Sequence, residues 1–562
     1  MDISTDSTPP VPRPIVGKVE AIFPRSSWPW RAWRACWWLA ATFIFAQGAL
    51  TRFRLPQLPL IAPDSYFYLL PAINGGVYNI GPRTFVYPMF CSAVLHALHD
   101  WNAFSIVQHV LGLLGPALLL AAWVFLGARL WVSRLARGMH ELVGLALPFL
   151  TVPSAIYVIY EEQVVLESLN AFFQCCLGAL LCLLWLPMLS RRRLVIASLT
   201  AIMGIFMYYA NPRWGPAAPL VVVFALLAVV MTSDPIRRRL RSAGVVLAFA
   251  VVTYFGLGQV QARLVPRDEW LNTFTAKHLL WMHADLALNE FRWDLDEFEP
   301  PPYADLLRKM IPKIEKEMVG VGTSHWMTIP FNAAALLYVA DCPDADLGAY
   351  FKGNPIGYRD FCLRYYFRII SHQPGAYWGE VWRMLLYYYD GPQNDGAFRE
   401  FSVAITDAFP GCAPVVRYIA GFAQPAIRAQ LEALAIEMEK KTDTPVVYRP
   451  DPTYHDWVRR VHVCFLPVTL AGLVAAIIIL LRPRLRARRE LAVLAWLCLA
   501  SVTVLFAQVL TLAMVTVTEG RYADALRTLA AFSLVCAFAV AGSLLVEYIA
   551  ARRGSRPSPA AR

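Results

Sequence analysis

Charged residues are scarce in this chain. Only 16% of its 562 residues are Asp, Glu, Lys or Arg, against 57% that are hydrophobic, whereas a soluble domain carries roughly a quarter charged. That deficit excludes an ordinary soluble protein. Metal-type cysteine spacing is also missing. The 11 cysteines lie mostly inside apolar runs, as Cys175, Cys176, Cys182, Cys498 and Cys536 do, where they act as small core hydrophobes. Cys342, Cys362 and Cys412 lie in the one long polar segment, and a disulfide among them is allowed if that segment faces an oxidising compartment. His278 and His283 lack a third ligand at helical spacing, which argues against zinc. No repeat period is visible, which argues against the paired halves common in transporters. The net charge of +11 invites a nucleic-acid reading. However, residues Ala262 to Val458 are acidic in balance, and the positive excess sits in short Arg clusters between apolar runs. Such clusters read as topology signals.

What is present is a series of apolar runs of about 17–27 residues, long enough to cross a hydrocarbon core as helices. The expected fold is an all-α polytopic membrane protein. Residues 1–34 form a Pro/Ser/Thr-rich tail without apolar periodicity, read as disordered. The run Ala35 to Leu50 follows a basic flank. That flank also fits a signal peptide, but the long tail and the lack of a small-x-small cleavage site favour an uncleaved span. Further spans are expected at Phe104–Leu126, Leu142–Tyr157, Val164–Leu189, Leu194–Ala210, Pro216–Met231 and Val245–Val260, and after the polar segment at Val461–Leu481, Leu491–Val517 and Asp524–Ile549. Every Arg cluster then falls on one face, giving ten spans with both termini inside. The transmembrane module is 35–261, with a first outer loop at 51–103. An extracytoplasmic domain, α-rich or α+β, occupies 262–458. Spans resume at 459–550, and 551–562 is a tail. Within the large domain, helices are expected at Asn272–Phe291, Tyr358–Ile370 and Ile427–Lys440. A loop is expected at Tyr387-Tyr388-Tyr389-Asp390-Gly391-Pro392.

This topology collects charges from distant parts of the chain on the outer face. Asp64 and Arg83 lie in the first loop, which also carries amphipathic segments at Tyr66–Ile73 and Pro88–Leu98. Glu161 and Glu162 lie at the next outer turn, with Glu167 one helical turn into the following span, where interior pairing is expected. Arg213 follows Asn211-Pro212, and Lys277 and His278 open the large domain. Glu519, Arg521 and Tyr522 precede the last span. Charges beside a bilayer normally face a protein interior or a wet cavity, so an outer cleft open to lipid would gather them.

The set suits transfer of a sugar from a polyprenyl phosphate to a hydroxyl. One carboxylate must accept the acceptor's proton, and Asp64 supplies it. Guanidinium groups must hold the phosphate's developing charge, and Arg83, Arg213 and Arg521 are candidates, with Lys277 and His278 in reserve. Simpler roles compete. Asp64 after Pro63 could cap the helix that starts at Ser65. Glu161-Glu162 could be an exposed turn, and Arg213 an interfacial anchor. Glu519 and Arg521 could form a loop ion pair.

The order Asp64, Tyr68, Arg83-Thr84, Tyr87-Pro88 before the second span resembles bacterial GT-C glycosyltransferases, most nearly the protein O-mannosyltransferase and lipid A aminoarabinose transferase superfamily. Tyr160-Glu161-Glu162 with Glu167-Ser168-Leu169 looks like that family's second acidic region, and Arg521-Tyr522 like its late Arg-Tyr segment. The resemblance implies a GT-C-like fold and a polyprenyl-phosphate-sugar donor. It also implies Asp64 as base, Tyr87 among the substrate-contacting residues, and a place in a bacterial inner membrane with the acceptor an envelope glycan, lipid or protein. The likeness covers roughly the first 215 residues and the last 50. Many members carry two adjacent acids where this chain has Asp64-Ser65, so a divalent metal stays an open partner with no bridging pair to hold it. The large domain resembles nothing in that family. Rival expectations are a surface-polysaccharide polymerase or ligase, in which Arg359, Arg364 and Arg368 would matter more than Asp64, and a lipid-linked glycan flippase.

Overall fold

The computed structural model describes residues 28–55, 57–61, 65–73, 84–186, 188–232, 234–264, 269–297, 303–318, 320, 329–390, 411–440, 452–515 and 526–554. Among them the architecture is all-α. The only β pairing is two isolated bridges, Leu60 with Gln163 and Met318 with Phe331.

The apolar runs become helices. α1 is Trp28–Phe53, and the first loop carries α2 (Tyr66–Ile73) and α3 (Val86–Leu98). α4 follows at Ala103–Leu130. The expected span at Leu142–Tyr157 is not one helix. It is divided among α5 (Arg134–Gly144), α6 (Ala146–Thr151) and α7 (Ala155–Glu162). Pro153 offers no N–H to continue α6, although Val152 before it keeps helical dihedrals. The bundle continues with α8 (Leu166–Leu184), α9 (Ser190–Ala210), α10 (Ala217–Val230) and α11 (Ile236–Leu264). Six described helices are long and apolar enough to cross a membrane: α4, α8, α9, α11 and two near the C-terminus, Arg489–Val515 and Arg527–Ile549. Three shorter apolar helices accompany them, at Val86–Leu98, Ala217–Val230 and Phe465–Leu481.

The large domain is helical throughout its described length. It comprises α12 (Glu269–Trp281), α13 (Ala284–Glu297), α14 (Ala304–Lys316), α15 (Ala333–Tyr338), α16 (Pro343–Tyr350), α17 (Pro355–His372) and α18 (Pro374–Asp390). A pair follows, α19 (residues 411–420) and α20 (Pro425–Lys440). The chain closes with α21 (Pro452–Val463), α22 (Phe465–Leu481), α23 (Pro483–Arg486), α24 (Arg489–Val515) and α25 (Arg527–Gly554). The expected helix at 272–291 breaks at Met282-His283 into α12 and α13. The Tyr387–Tyr389 stretch, expected as loop, completes α18. Its tyrosines are apolar enough to pack, and Tyr389 stacks on Phe465 at 5.9 Å. Gly391 and Pro392 lie outside the described residues. All eleven cysteines are free thiols, so Cys342, Cys362 and Cys412 form no disulfide.

Two cores organise the chain. In the larger, α4, α8, α9, α10, α22, α24 and α25 pack together, and α18 continues that core into the large domain. Gly472 lets α22 approach α25 closely, since a Cβ there would sit 2.4 Å from Ala537 Cβ. The smaller core joins α2 and α3 to α19 and α20. α11 lies at the edge and buries only Val246 and Ala250.

The large domain holds its own buried acid cluster. His283 Nδ1–H donates to Glu380 Oε2 at 2.7 Å, which ties the α12–α13 corner to α18. Burial holds the His283 imidazole down to about 4. Burial and the neighbouring Glu380 carboxyl push Asp285 up to about 7. The folded state therefore keeps a proton on Asp285 that the unfolded chain releases near 3.8. Stability from this group falls as pH rises across that window. His283 works oppositely, because the unfolded chain takes up its proton first. Asp285→Asn deletes only the Asp285 contribution. The melting temperature of Asp285→Asn minus that of the native protein is expected to rise between pH 4 and pH 7, by the equivalent of at most about 4 kcal/mol. A difference that stays flat with pH would show that Asp285 ionises normally.

Candidate functional site

The site is built at the end of the bundle where α4 and α8 begin and α9 ends. Its floor is a buried ionic cluster. Arg52, in the last turn of α1, grips Glu161 through two parallel hydrogen bonds, Nε to Oε2 at 2.6 Å and Nη2 to Oε1 at 2.7 Å. Its Nη1 donates to the carbonyls of Val152 at 2.6 Å and Gly48 at 3.1 Å. His109 on α4 bridges both acids, with Nδ1 2.8 Å from Glu161 Oε2 and Nε2 2.8 Å from Glu162 Oε1. Two carboxylates face a guanidinium and an imidazole whose nitrogens both meet an acceptor, so the group balances its own charge. Arg52 and His109 are fully buried, and Glu161 and Glu162 nearly so. Gly112 makes room for it: a Cβ there would lie 1.9 Å from Glu161 Oε1.

Glu161 and Glu162 are therefore committed to the fold beneath the first loop, with their backbone presented upward. Leu60 N–H donates to Glu162 O at 2.7 Å, and Val164 N–H donates to Leu60 O at 3.0 Å. Ser65 Oγ donates to Val164 O at 2.8 Å. Gln108, beside His109, clasps the same turn: its amide donates to Glu161 O at 2.7 Å and Gln163 O at 2.9 Å. Its Oε1 accepts from Tyr87 O–H at 2.9 Å and Ser168 O–H at 2.7 Å. Tyr87 is fully buried, and Tyr68 meets its ring edge-on at 4.8 Å. Glu167, half-buried on the first turn of α8, lies close enough to Tyr87 to act on it electrostatically. Sequence favoured interior pairing for Glu167, yet among the described residues its carboxylate makes no ion pair.

The cationic side of the site forms where α9 ends. Asn211 caps a short 3-10 turn by accepting from Arg213 N–H at 3.2 Å, and Trp214 anchors it through Nε1 to Asn170 Oδ1 at 3.1 Å. Thr84 Oγ1 donates to Ala210 O at 2.8 Å, fixing Thr84 to a residue three positions before Arg213. α12 brings Lys277 and His278 to the same place, near enough for Arg213 to act on His278. His278 donates from Nδ1 to Phe274 O at 2.7 Å and faces Tyr338 Oη at 2.9 Å. Burial, reinforced by Lys277 and Arg213, holds its ring down to about 4, so it is neutral at physiological pH and adds no charge. Lys277 Nζ lies 3.1 Å from Asp344 Oδ2. Asp344 Oδ1 also accepts from Trp281 Nε1 at 2.9 Å and from Tyr358 O–H.

α19 and α20 lie over the first loop. Cys412 Sγ reaches Ile61 O at 3.4 Å, and Tyr418 meets the Tyr66 ring at a tilt, 5.6 Å between centroids. Of the ten residues singled out from sequence, Tyr87, Glu161, Glu162, Arg213, Lys277 and His278 are placed. Asp64, Arg83, Arg521 and Tyr522 lie outside the described residues, as does Glu519. Sequence reasoning missed Arg52, Gln108 and His109. The last two were visible as adjacent polar residues inside an apolar run, a signal for interior pairing. Arg368 pairs with Asp294 at 2.6 Å and Glu290 at 3.1 Å, and Arg359 with its neighbour Asp360, so both serve the large domain's own structure. Among the described residues no three His, Cys, Asp or Glu side chains are grouped to hold a metal ion. Comparison with protein-family models, with curated proteins and with solved structures finds no match to this chain.

Proposed function

We propose that the protein is a membrane glycosyltransferase of GT-C type that moves a sugar from a polyprenyl phosphate to a hydroxyl acceptor at the outer face of a bacterial-type inner membrane. One observation carries the reading. The residues flanking Asp64 and Arg83 in sequence, Ser65 and Thr84, are pinned to the Glu161–Val164 turn and to the end of α9, and Arg213 and Lys277 come to that same end. The described neighbours of the acid and of the first-loop arginine thus lie in the same corner of the bundle as two cations from separate segments, which supports the reading.

In this mechanism Asp64 takes the proton of the acceptor hydroxyl as its oxygen attacks the anomeric carbon. The bond from that carbon to the phosphate oxygen breaks, and the polyprenyl phosphate leaves carrying the electron pair. Arg213 and Arg521 hold its charge, Arg83 orders the first loop or the sugar, and Tyr87 sets the loop's register. Tyr522, Lys277 and His278 shape the wall. Glu161 and Glu162 act through Arg52, His109 and Gln108 as the floor.

Arg213→Ala tests the phosphate role. In membranes supplied with a labelled polyprenyl-phosphate sugar, transfer is expected to drop by about 10²-fold, with Arg213→Lys intermediate because an ammonium lacks the bidentate fork. Native rates in both variants would remove Arg213 from the donor site.

A further inference from the structure

The opposite end of the bundle carries a second site. α8 spans about 28 Å at 1.5 Å per residue, and at its far end a cavity of about 390 Å³ opens between α8, α9, α10 and α24. Trp185 and Trp496 line it as a parallel stack, 5.2 Å between centroids and 8° between planes. Arg193, Arg486 and Arg489 surround it.

The charges here are unbalanced. Arg488, outside the cavity, takes both nearby acids, Glu490 at 3.0 Å and Glu547. Asp234 accepts from Ser190 Oγ at 2.6 Å and lies 3.6 Å from Arg238. Among the described residues no carboxylate pairs with Arg193, Arg486 or Arg489. Arg193 donates to the carbonyl of Leu186 at 3.2 Å, and both the opposite charge of Asp234 and the like charge of Arg489 act on it. Trp185 Nε1–H is buried and has no hydrogen-bond partner among the described residues. A topology signal needs only solvated arginines. It does not need three of them around one half-open cavity walled by stacked tryptophans. A phosphate group held in the cavity would neutralise the guanidiniums.

We propose that this cavity binds the phosphate headgroup of an anionic phospholipid. The guanidiniums take the phosphate oxygens, and the tryptophan stack with Met231 seats the glycerol and upper acyl carbons. The size fits a headgroup, and basic pockets between membrane helices take such groups. The apolar lining, at the ends of membrane-length helices, favours a lipid over a soluble phosphate. This goes beyond the transferase reading and stands without it.

The test is native mass spectrometry of the full chain in neutral detergent, titrated with phosphatidylglycerol or phosphatidylcholine. One phosphatidylglycerol is expected to bind about ten-fold more tightly than phosphatidylcholine. Arg486→Gln with Arg489→Gln should abolish that preference. Arg482→Gln with Arg484→Gln, an equal charge change in the same cluster but outside the cavity, should keep it. Equal binding of the two lipids overturns the proposal, as does an equal loss in both double variants, which would mean diffuse attraction. Displacement of phosphatidylglycerol by millimolar inorganic phosphate also overturns it, in favour of a soluble-anion site.

Discussion

Asp64→Asn is expected to lower sugar transfer by about 10²–10⁴-fold, the range lost when a positioned general base is removed. The asparagine variant is chosen because Asn caps a helix about as well as Asp. If Asp64 serves only to begin the helix at Ser65, Asn preserves the role and transfer continues. If it accepts the acceptor's proton, the amide cannot, and turnover stops while the protein still folds. Asp64→Ala confounds the two, adding about 1 kcal/mol of cap loss. The readout is transfer from labelled polyprenyl-phosphate sugar in membranes, with melting temperature measured in parallel. Full transfer by the asparagine variant ends the base assignment, and with it the mechanism.

Arg52→Met is expected to be the most destabilising single change in the bundle, by about 3–5 kcal/mol, because it strands a buried carboxylate without its partner. Glu161 cannot turn to water from where it sits, 2.6 Å from Arg52 Nε and 2.8 Å from His109. Adding Glu161→Gln to Arg52→Met should recover part of the loss by removing the stranded charge. Thermal unfolding in detergent reads both variants. An Arg52→Met protein that melts like the native chain would mean the cluster carries no net weight. Transfer should fail along with stability, since the backbone of residues 161–164 holds Leu60, Ser65 and Gln108 in place.

Hydropathy made the long apolar helices legible because apolar length is a local property, and α4, α8, α9, α11, α24 and α25 follow their runs closely. The third run misled because composition does not register where a helix must stop: Pro153 interrupts a stretch whose mean apolarity looks continuous. The tyrosines at 387–389 misled in the other direction. The turn residues Asp-Gly-Pro suggested a loop for the whole stretch, yet α18 runs through the tyrosines to Asp390. The ionic floor was out of reach for another reason. Glu161 was noticed and Arg52 was not, and nothing local links two residues more than a hundred positions apart. Only the folding of α1 against α4 and α7 makes them partners. The gathering of Arg213, Lys277 and His278 was foreseeable from topology, whereas the neutrality of His278 depends on burial that no spacing rule reports.

α11 leads from the bundle to the large domain, and only two of its side chains, Val246 and Ala250, are buried. Its other faces, with Leu247, Val252 and Phe255 among the exposed residues, meet whatever surrounds the protein. Any residue greasy enough for lipid would serve on those faces, so natural selection has little to discriminate there. Among descendants of this chain, that helix should drift fastest in letter while keeping its oiliness and length.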